Sequence, residues 1–230
     1  MLALLIDPEK AKGKYLKELL LVIKKQAPDF IFIGGSTAKA KETKNLISEL
    51  KKTISIPLIQ FPGPFDNVNK QSDAFLLLSL ISGRNPDLII GKHVEEALTL
   101  KKSKVEIIST AYILIDGGRV STTEKISGTK SIKLKSLAIQ TALAGELLGM
   151  KLIYLEAGSG ANKRGSDTLI KSVRSKINVP LIVGGGIKNS ASAHKAFKNG
   201  ADLIVVGNAI EKNVSLLSEL IKTRNLINAR

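Results

Sequence analysis

Short β-branched and aliphatic runs alternate with helix-spaced segments along the whole chain, and this alternation limits its fold more than any other feature. It is the signature of repeated βα units around a parallel sheet. Strands are expected at Leu2–Ile6, Phe30–Ile33, Ile56–Gln60, Phe75–Ser79, Glu106–Tyr112, Leu152–Glu156, Leu181–Val183 and Leu203–Val206. Helices are expected over Lys14–Lys25, Lys39–Lys52, Val94–Lys101, Lys135–Leu148, Thr168–Lys176, Ser190–Asn199 and Ser215–Ile221, where apolar residues recur every three or four positions. Eight such strands suffice for a parallel sheet to close, so residues 1–230 are expected to form one α/β domain, a TIM (β/α)8 barrel.

Composition agrees with that frame. Hydrophobic residues make up 43% of the chain, enough for a sizeable core, while aromatics are only 4% and Trp is absent. The interior is therefore expected to be filled by Ile, Leu, Val and Ala, as in aliphatic strands covered by helices. The absence of Cys excludes disulfides, thiolate metal sites and a thiol nucleophile. The first apolar stretch, Met1 to Ile6, is stopped by Asp7-Pro8 and is too short for a signal core or a membrane span, so a cytoplasmic location is expected. The net charge of +15 favours anionic partners in general, but the lysines are scattered over polar helix faces. Nucleic acid is not an expected partner, because few aromatics interleave with the basic residues.

One connection departs from the pattern. Between the third and fourth strands, Phe61 to Ala74 carries two prolines and a glycine, which deny it a full crossover helix. An irregular segment in place of that helix would open the barrel wall and leave an apolar side groove. Two strand phrases also recur: Asp29-Phe-Ile-Phe-Ile-Gly34 resembles Asp202-Leu-Ile-Val-Val-Gly207, and Ile56-Pro-Leu-Ile59 resembles Val179-Pro-Leu-Ile182. Their order is reversed, so they do not mark a duplicated half.

The chemistry-bearing residues gather at strand ends. Gly184-Gly185-Gly186 follows the seventh strand and Gly207-Asn208 the eighth. In barrels these two loops commonly hold phosphate, since glycines let backbone N–H groups approach it. The sixth strand ends in Tyr154-Leu155-Glu156-Ala157-Gly158-Ser159-Gly160, and alternation puts Tyr154 and Glu156 on one face. A carboxylate there can bind a hydroxyl or take its proton. Asp7 after the first strand and Ser36 after the second are candidates to share a hard cation such as Mg²⁺, which needs few protein ligands. His93 and His194 lack metal-ligand spacing and are expected to be surface residues, and no Ser-His-Asp set can be assembled.

Taken together, LLIDPEK, IFIGGST, LSLISGRNPDLIIGKH, YLEAGSGA, VGGGI and VVGNAI resemble the geranylgeranylglyceryl phosphate synthase family, which includes the bacterial heptaprenylglyceryl phosphate synthases. The long fourth-strand segment with Arg84-Asn85-Pro86 is most similar to the archaeal-type branch. Leu5 stands where the other branch often has a lysine, so contacts attributed to that lysine do not carry over. The resemblance implies a Mg²⁺-dependent prenyltransferase that joins a long-chain prenyl diphosphate, geranylgeranyl diphosphate above all, to the 3-hydroxyl of sn-glycerol 1-phosphate. It places the metal at Asp7 and Ser36 and glycerol phosphate at Tyr154, Leu155, Glu156, Ala157, Gly158, Ser159 and Gly160. The phosphate falls at Gly185, Gly186, Gly207 and Asn208, with Glu156 as base. It also implies a homo-oligomer, and the basic surface is compatible with peripheral contact with an anionic membrane. Two alternatives stay open at this point: a sugar-phosphate isomerase or lyase on the same barrel, and a non-catalytic module binding phosphorylated ligands.

Overall fold

The structure, a computed structural model, describes residues 1–35, 38–62 and 68–229. Eight parallel strands close in sequence order: β1 (Leu2–Ile6), β2 (Phe30–Gly34), β3 (Leu58–Phe61), β4 (Ala74–Ser79), β5 (Glu106–Leu114), β6 (Leu152–Glu156), β7 (Leu181–Gly184) and β8 (Leu203–Val206). β8 returns to β1 with Ala3 opposite Val205. Outside them lie α1 (Gly13–Lys25), α2 (Ala40–Lys51), α3 (Lys92–Ser103), α4 (Thr122–Ser127), α5 (Lys135–Leu147), α6 (Asp167–Arg174), α7 (Ser190–Lys198), α8 (Asn208–Lys212) and α9 (Leu216–Asn228).

The expected elements are present with shifted ends. β3 begins at Leu58 rather than Ile56, because Pro57 has no N–H to give the ladder. α4 and α8 were not expected. α4 is announced by Ser121-Thr-Thr-Glu124, a capping box in which the Ser121 hydroxyl takes the Glu124 N–H and Glu124 returns to the Ser121 N–H. A π-helical turn, Asp87–Gly91, leads directly into α3 and starts that helical stretch earlier than Val94. Between β3 and β4 the described residues Pro62 and Val68–Asp73 contain no helix, so the connection is irregular there as its prolines require.

Alternation along the strands divides the core into two layers. Leu2, Leu4, Ile6, Ile153, Leu155 and Val183 point outward to buried helix residues such as Leu19, Ile23, Leu50 and Ile170. The inner layer fills the barrel and is less aliphatic than composition suggests. It holds Phe32, Phe61, Tyr112 and Tyr154 among its buried members, four of the nine Phe and Tyr residues in the chain. Tyr112 and Tyr154 meet edge-on with centroids 5.2 Å apart, and Phe61 lies 6.0 Å from each. Such pairs contribute roughly 0.5–1.5 kcal/mol beyond their burial, which suits a plug beneath a binding site.

A repeated device pins the N-terminal face, and it explains the recurring Asp-led phrases. Asp29, Asp73 and Asp202 stand just before β2, β4 and β8. Each carboxylate accepts the first strand N–H of the preceding strand: Leu2 at 2.7 Å, Leu58 at 2.7 Å and Leu181 at 2.8 Å. A cation joins each one, Arg224 at 2.7 Å, Lys51 at 2.6 Å and Arg174 at 2.8 Å. The opposite face is left for chemistry.

Candidate active site

At the C-terminal strand ends a cavity of about 1420 Å³ opens, bordered by Leu5, Asp7, Gly34, Phe61, Tyr112 and Tyr154 and by the loops after β6, β7 and β8. Its floor is the aromatic plug. It runs sideways over β4 and under α3, where Phe75, Leu77, Leu78, Leu88 and Leu100 make it apolar. The sequence placed such a groove at Phe61–Ala74. The structure brings Phe61 and Pro62 to its edge and draws most of the described apolar lining from β4 and α3.

Glu156 is the central acid. The last residue of β6, it pairs with Leu114 on one side and Gly184 on the other. It is only 7% exposed, and its Oε1 accepts the Gly158 N–H at 2.6 Å. Burial pushes its carboxyl up to about 7, against the opposing effect of the Gly158 N–H and the nearby Tyr154 hydroxyl. That is the range in which a carboxylate is half available as a base near neutral pH. The Tyr154 hydroxyl is fully buried and lies beside the carboxylate. Burial, and then the charge of Glu156, hold the phenols of Tyr154 and Tyr112 well above the usual tyrosine range, so both stay protonated.

Glycine at positions 184 and 185 is a steric requirement. A Cβ on Gly184 would stand 2.4 Å from the Tyr154 hydroxyl and 2.5 Å from Glu156 Oε2. The backbone after β7 therefore closes directly over the carboxylate. Asn208 ties the β6 loop to the β8 loop, its Oδ1 accepting Ser159 Oγ–H at 2.9 Å and the Gly160 N–H at 3.2 Å. Tyr154, Glu156, Ser159, Gly160, Gly185, Gly186, Gly207 and Asn208 all border the cavity. Leu155 and Ala157 do not, because the pleat turns their side chains into the outer core, and Gly158 lies beneath, spending its N–H on Glu156.

Asp7 also borders the cavity, with Oδ1 accepting the Glu9 N–H at 3.0 Å and Oδ2 3.5 Å from the Lys10 ammonium, which also meets Glu211 at 3.0 Å. Ser36 lies outside the described residues. No cluster of three or more His, Asp or Glu able to cage a metal exists among the described residues. A carboxylate facing a cavity, outside any such cluster, does fit a magnesium ion that takes its remaining oxygens from water and phosphate. His93, expected at the surface, is instead half-buried in the cavity wall, its Nε2 2.9 Å from the Leu78 carbonyl. The turn ahead of α3 that carries it inward begins at Pro86-Asp87, a helix-start signal readable in the sequence. His194 sits on α7, away from the cavity.

A closed parallel barrel with a buried carboxylate and glycine loops over an open C-terminal mouth defines a (β/α)8 protein of the kind that works on a ligand held at that rim. The chain belongs to the PcrB family, whose profile it matches over residues 2–224. A geranylgeranylglyceryl phosphate synthase of Chitinophaga pinensis is 44% identical over 220 residues, covering 95% of this chain and 87% of the relative. One from Pyrococcus horikoshii is 41% identical over 215 residues, covering 92% and 84%. Among solved structures, (S)-3-O-geranylgeranylglyceryl phosphate synthase of Thermoplasma acidophilum, in complex with its substrate sn-glycerol-1-phosphate, superposes with a TM-score of 0.88 at 29% identity, covering 97% of this chain and 92% of that one.

Proposed function

We propose that this chain is a prenyltransferase joining a long-chain prenyl diphosphate, geranylgeranyl diphosphate first among them, to the 3-hydroxyl of sn-glycerol 1-phosphate. The observation that carries the reading is Glu156, a buried carboxylate raised to about 7 at the junction of the polar rim and the apolar arm of one cavity. A reaction between a phosphorylated polyol and an isoprenoid needs both halves, and a sugar-phosphate isomerase needs only the first. The names of the relatives point to the same chemistry.

In this reading Gly185, Gly186, Gly207 and Asn208 hold the phosphate with backbone and amide N–H groups. Tyr154, Ser159 and Gly160 orient the glycerol moiety. Glu156 accepts the proton of the 3-hydroxyl as the oxygen attacks the prenyl C1 and the C–O bond to diphosphate breaks. The buried Tyr112 and Tyr154 ring pair lies at the floor, where it would exclude water from the allylic centre. Asp7, with Ser36, would hold Mg²⁺, which neutralises charge on the departing diphosphate. The reading includes a cytoplasmic setting, expected from the short first apolar stretch, and a homo-oligomer, carried over from the family resemblance.

Purified protein should be incubated with labelled sn-glycerol 1-phosphate, Mg²⁺ and prenyl diphosphates of increasing length, then extracted into organic solvent. Labelled lipid from the 1-phosphate, absent with EDTA and with sn-glycerol 3-phosphate, is the expected result. Folded protein that makes no lipid from any donor would overturn the proposal.

A further inference from the structure

No helix among the described residues is long and apolar enough to cross a membrane, yet the rim beside the cavity's apolar arm carries large hydrophobic side chains in water. On one flank, Ile90, Val94 and Leu98 recur every four residues along the π-helical turn and α3, so they share a face. That face is turned away from the cavity, which takes Leu88, His93 and Leu100 from the same stretch. Leu98 is 74% exposed. On the other flank, Val120, Ile126 and Leu134 surround α4 and are exposed as well. Six large apolar residues on two neighbouring flanks of one opening are more than the scattered exposure normal for a monomer.

The α3 flank is close to balanced, with Asp87, Glu95 and Glu96 against Lys92, Lys101 and Lys102, and the charge of the α4 flank selects the occupant. Between Arg119 and Lys135 the sequence holds five cations, Arg119, Lys125, Lys130, Lys133 and Lys135, against Glu124 as the one acid. Glu124 is turned inward, its two oxygens accepting the Ser121 and Ser131 N–H groups, each at 2.8 Å. No ion pair engages any of the five among the described residues. Cations interleaved with exposed Val, Ile and Leu form the pattern that binds a negatively charged lipid interface, with the apolar side chains entering the headgroup boundary and the basic ones at the phosphates. A self-associating face would bring those five cations against its own copy, since equivalent patches meet in a two-fold contact.

We propose that the rim formed by the face of α3 and the segment Arg119–Lys135 docks on an anionic lipid surface, setting the apolar arm of the cavity against the bilayer. The proposal rests on the prenyltransferase reading only for its purpose, to let an amphiphilic substrate enter and a lipid product leave without crossing water. The docking itself is independent of turnover.

The test is flotation of the full chain with vesicles of phosphatidylcholine alone and of phosphatidylcholine mixed with phosphatidylglycerol. Binding should rise on the order of tenfold with the anionic lipid and fall as salt is added. Val94→Ser with Leu98→Ser, residues outside the cavity wall, should lower binding about tenfold while keeping activity on detergent-dispersed donor. Lys125→Gln with Lys130→Gln should remove the advantage of the anionic lipid. Leu21→Ser with Leu226→Ser, equally exposed but away from the rim, should change neither. Equal binding by the Val94 and Leu98 variant would overturn the proposal. So would a change in that variant's mass by light scattering with vesicle binding unaltered, which would assign the face to a second copy of the chain. Docking without lipid synthesis would retain the surface and sink the prenyltransferase reading.

Discussion

Gly185 and Glu156 are in such close contact that a Cβ on the glycine would lie 2.6 Å from Glu156 Oε1 and 2.7 Å from the Gly158 N that this oxygen accepts. Gly185 also sits at φ +72°, where a side chain is strained. Gly185→Ala should therefore displace the carboxylate and its donor together, lowering turnover on the order of a hundredfold. Gly149 provides the control, with φ +81° and open space around its Cα. Gly149→Ala should cost about 1–2 kcal/mol of stability from strain alone, with turnover unchanged. Steady-state kinetics beside thermal melts separate the two effects.

The raised Glu156 carboxyl has two consequences with opposite pH signs. For activity the base must be ionised, so kcat/KM should climb through a pKa near 7 and then level. For stability, the folded protein holds a proton that the unfolded chain releases near the usual 4.5. Between those values the native state binds more protons, so stability falls as pH rises from about 4.5 to about 7, by on the order of 3 kcal/mol. Glu156→Gln should abolish the kinetic limb, cut turnover by roughly a hundredfold or more, and flatten the pH dependence of the melting temperature relative to the native chain. Binding of sn-glycerol 1-phosphate by calorimetry should largely survive. Turnover near the native level would remove Glu156 from the mechanism.

Much of this arrangement is readable from sequence, and the unread parts have physical reasons. The period-two pattern of Tyr154 and Glu156 indicates which side chains face inward, and it equally explains why Leu155, part of the same motif, faces the outer core. The glycines after β7 and β8 signal close backbone approach, but only tertiary packing shows that the object approached is the Glu156 carboxylate. The aromatic floor was not legible because composition averages over the chain. Few aromatics in total does not forbid four of them from meeting in one place. A side groove is expected at Phe61–Ala74, but its described lining from β4 and the turn and helix of residues 87–103 depends on tertiary packing that no local pattern encodes. α4, by contrast, carried a readable signal in its capping box.

Asp7 faces the cavity, shares the Lys10 ammonium with Glu211, and belongs to no cluster of three or more His, Asp or Glu among the described residues. In the proposed reading Mg²⁺ would be held jointly by this side chain and the diphosphate. Asp7→Asn is expected to raise the Mg²⁺ concentration needed for half-maximal activity by at least about tenfold, with glycerol phosphate binding little changed. An unaltered magnesium titration would move the metal elsewhere.

Asn208 joins two loops that approach the cavity from different strands, accepting from Ser159 and Gly160 with one oxygen. Asn208→Ala would free the β6 loop and remove an amide from the rim. The expected result is an increase in KM for sn-glycerol 1-phosphate on the order of tenfold or more, with a smaller effect on kcat, because ground-state binding is lost. An equal fall in kcat at unchanged KM would instead give Asn208 a part in the transition state.

Asp202 lies on the opposite face, and its replacement should separate stability from chemistry. Its carboxylate accepts the N–H of Leu181, a fully buried residue, at 2.8 Å and pairs with Arg174 at 2.8 Å. Asp202→Ala leaves that N–H without its acceptor, a loss of about 1–3 kcal/mol. In a chain of this size that lowers the melting temperature by a few degrees per kcal/mol, roughly 2–4 °C each. Asp202→Asn keeps an acceptor oxygen and should recover part of the loss. Because β8 carries no displacement from its base to Gly207 while the ladder to β1 and β7 holds, kcat/KM below the melting range should match the native chain. A drop in kcat/KM at full folding would mean that the N-terminal face sets the geometry of the phosphate loops through the strand itself.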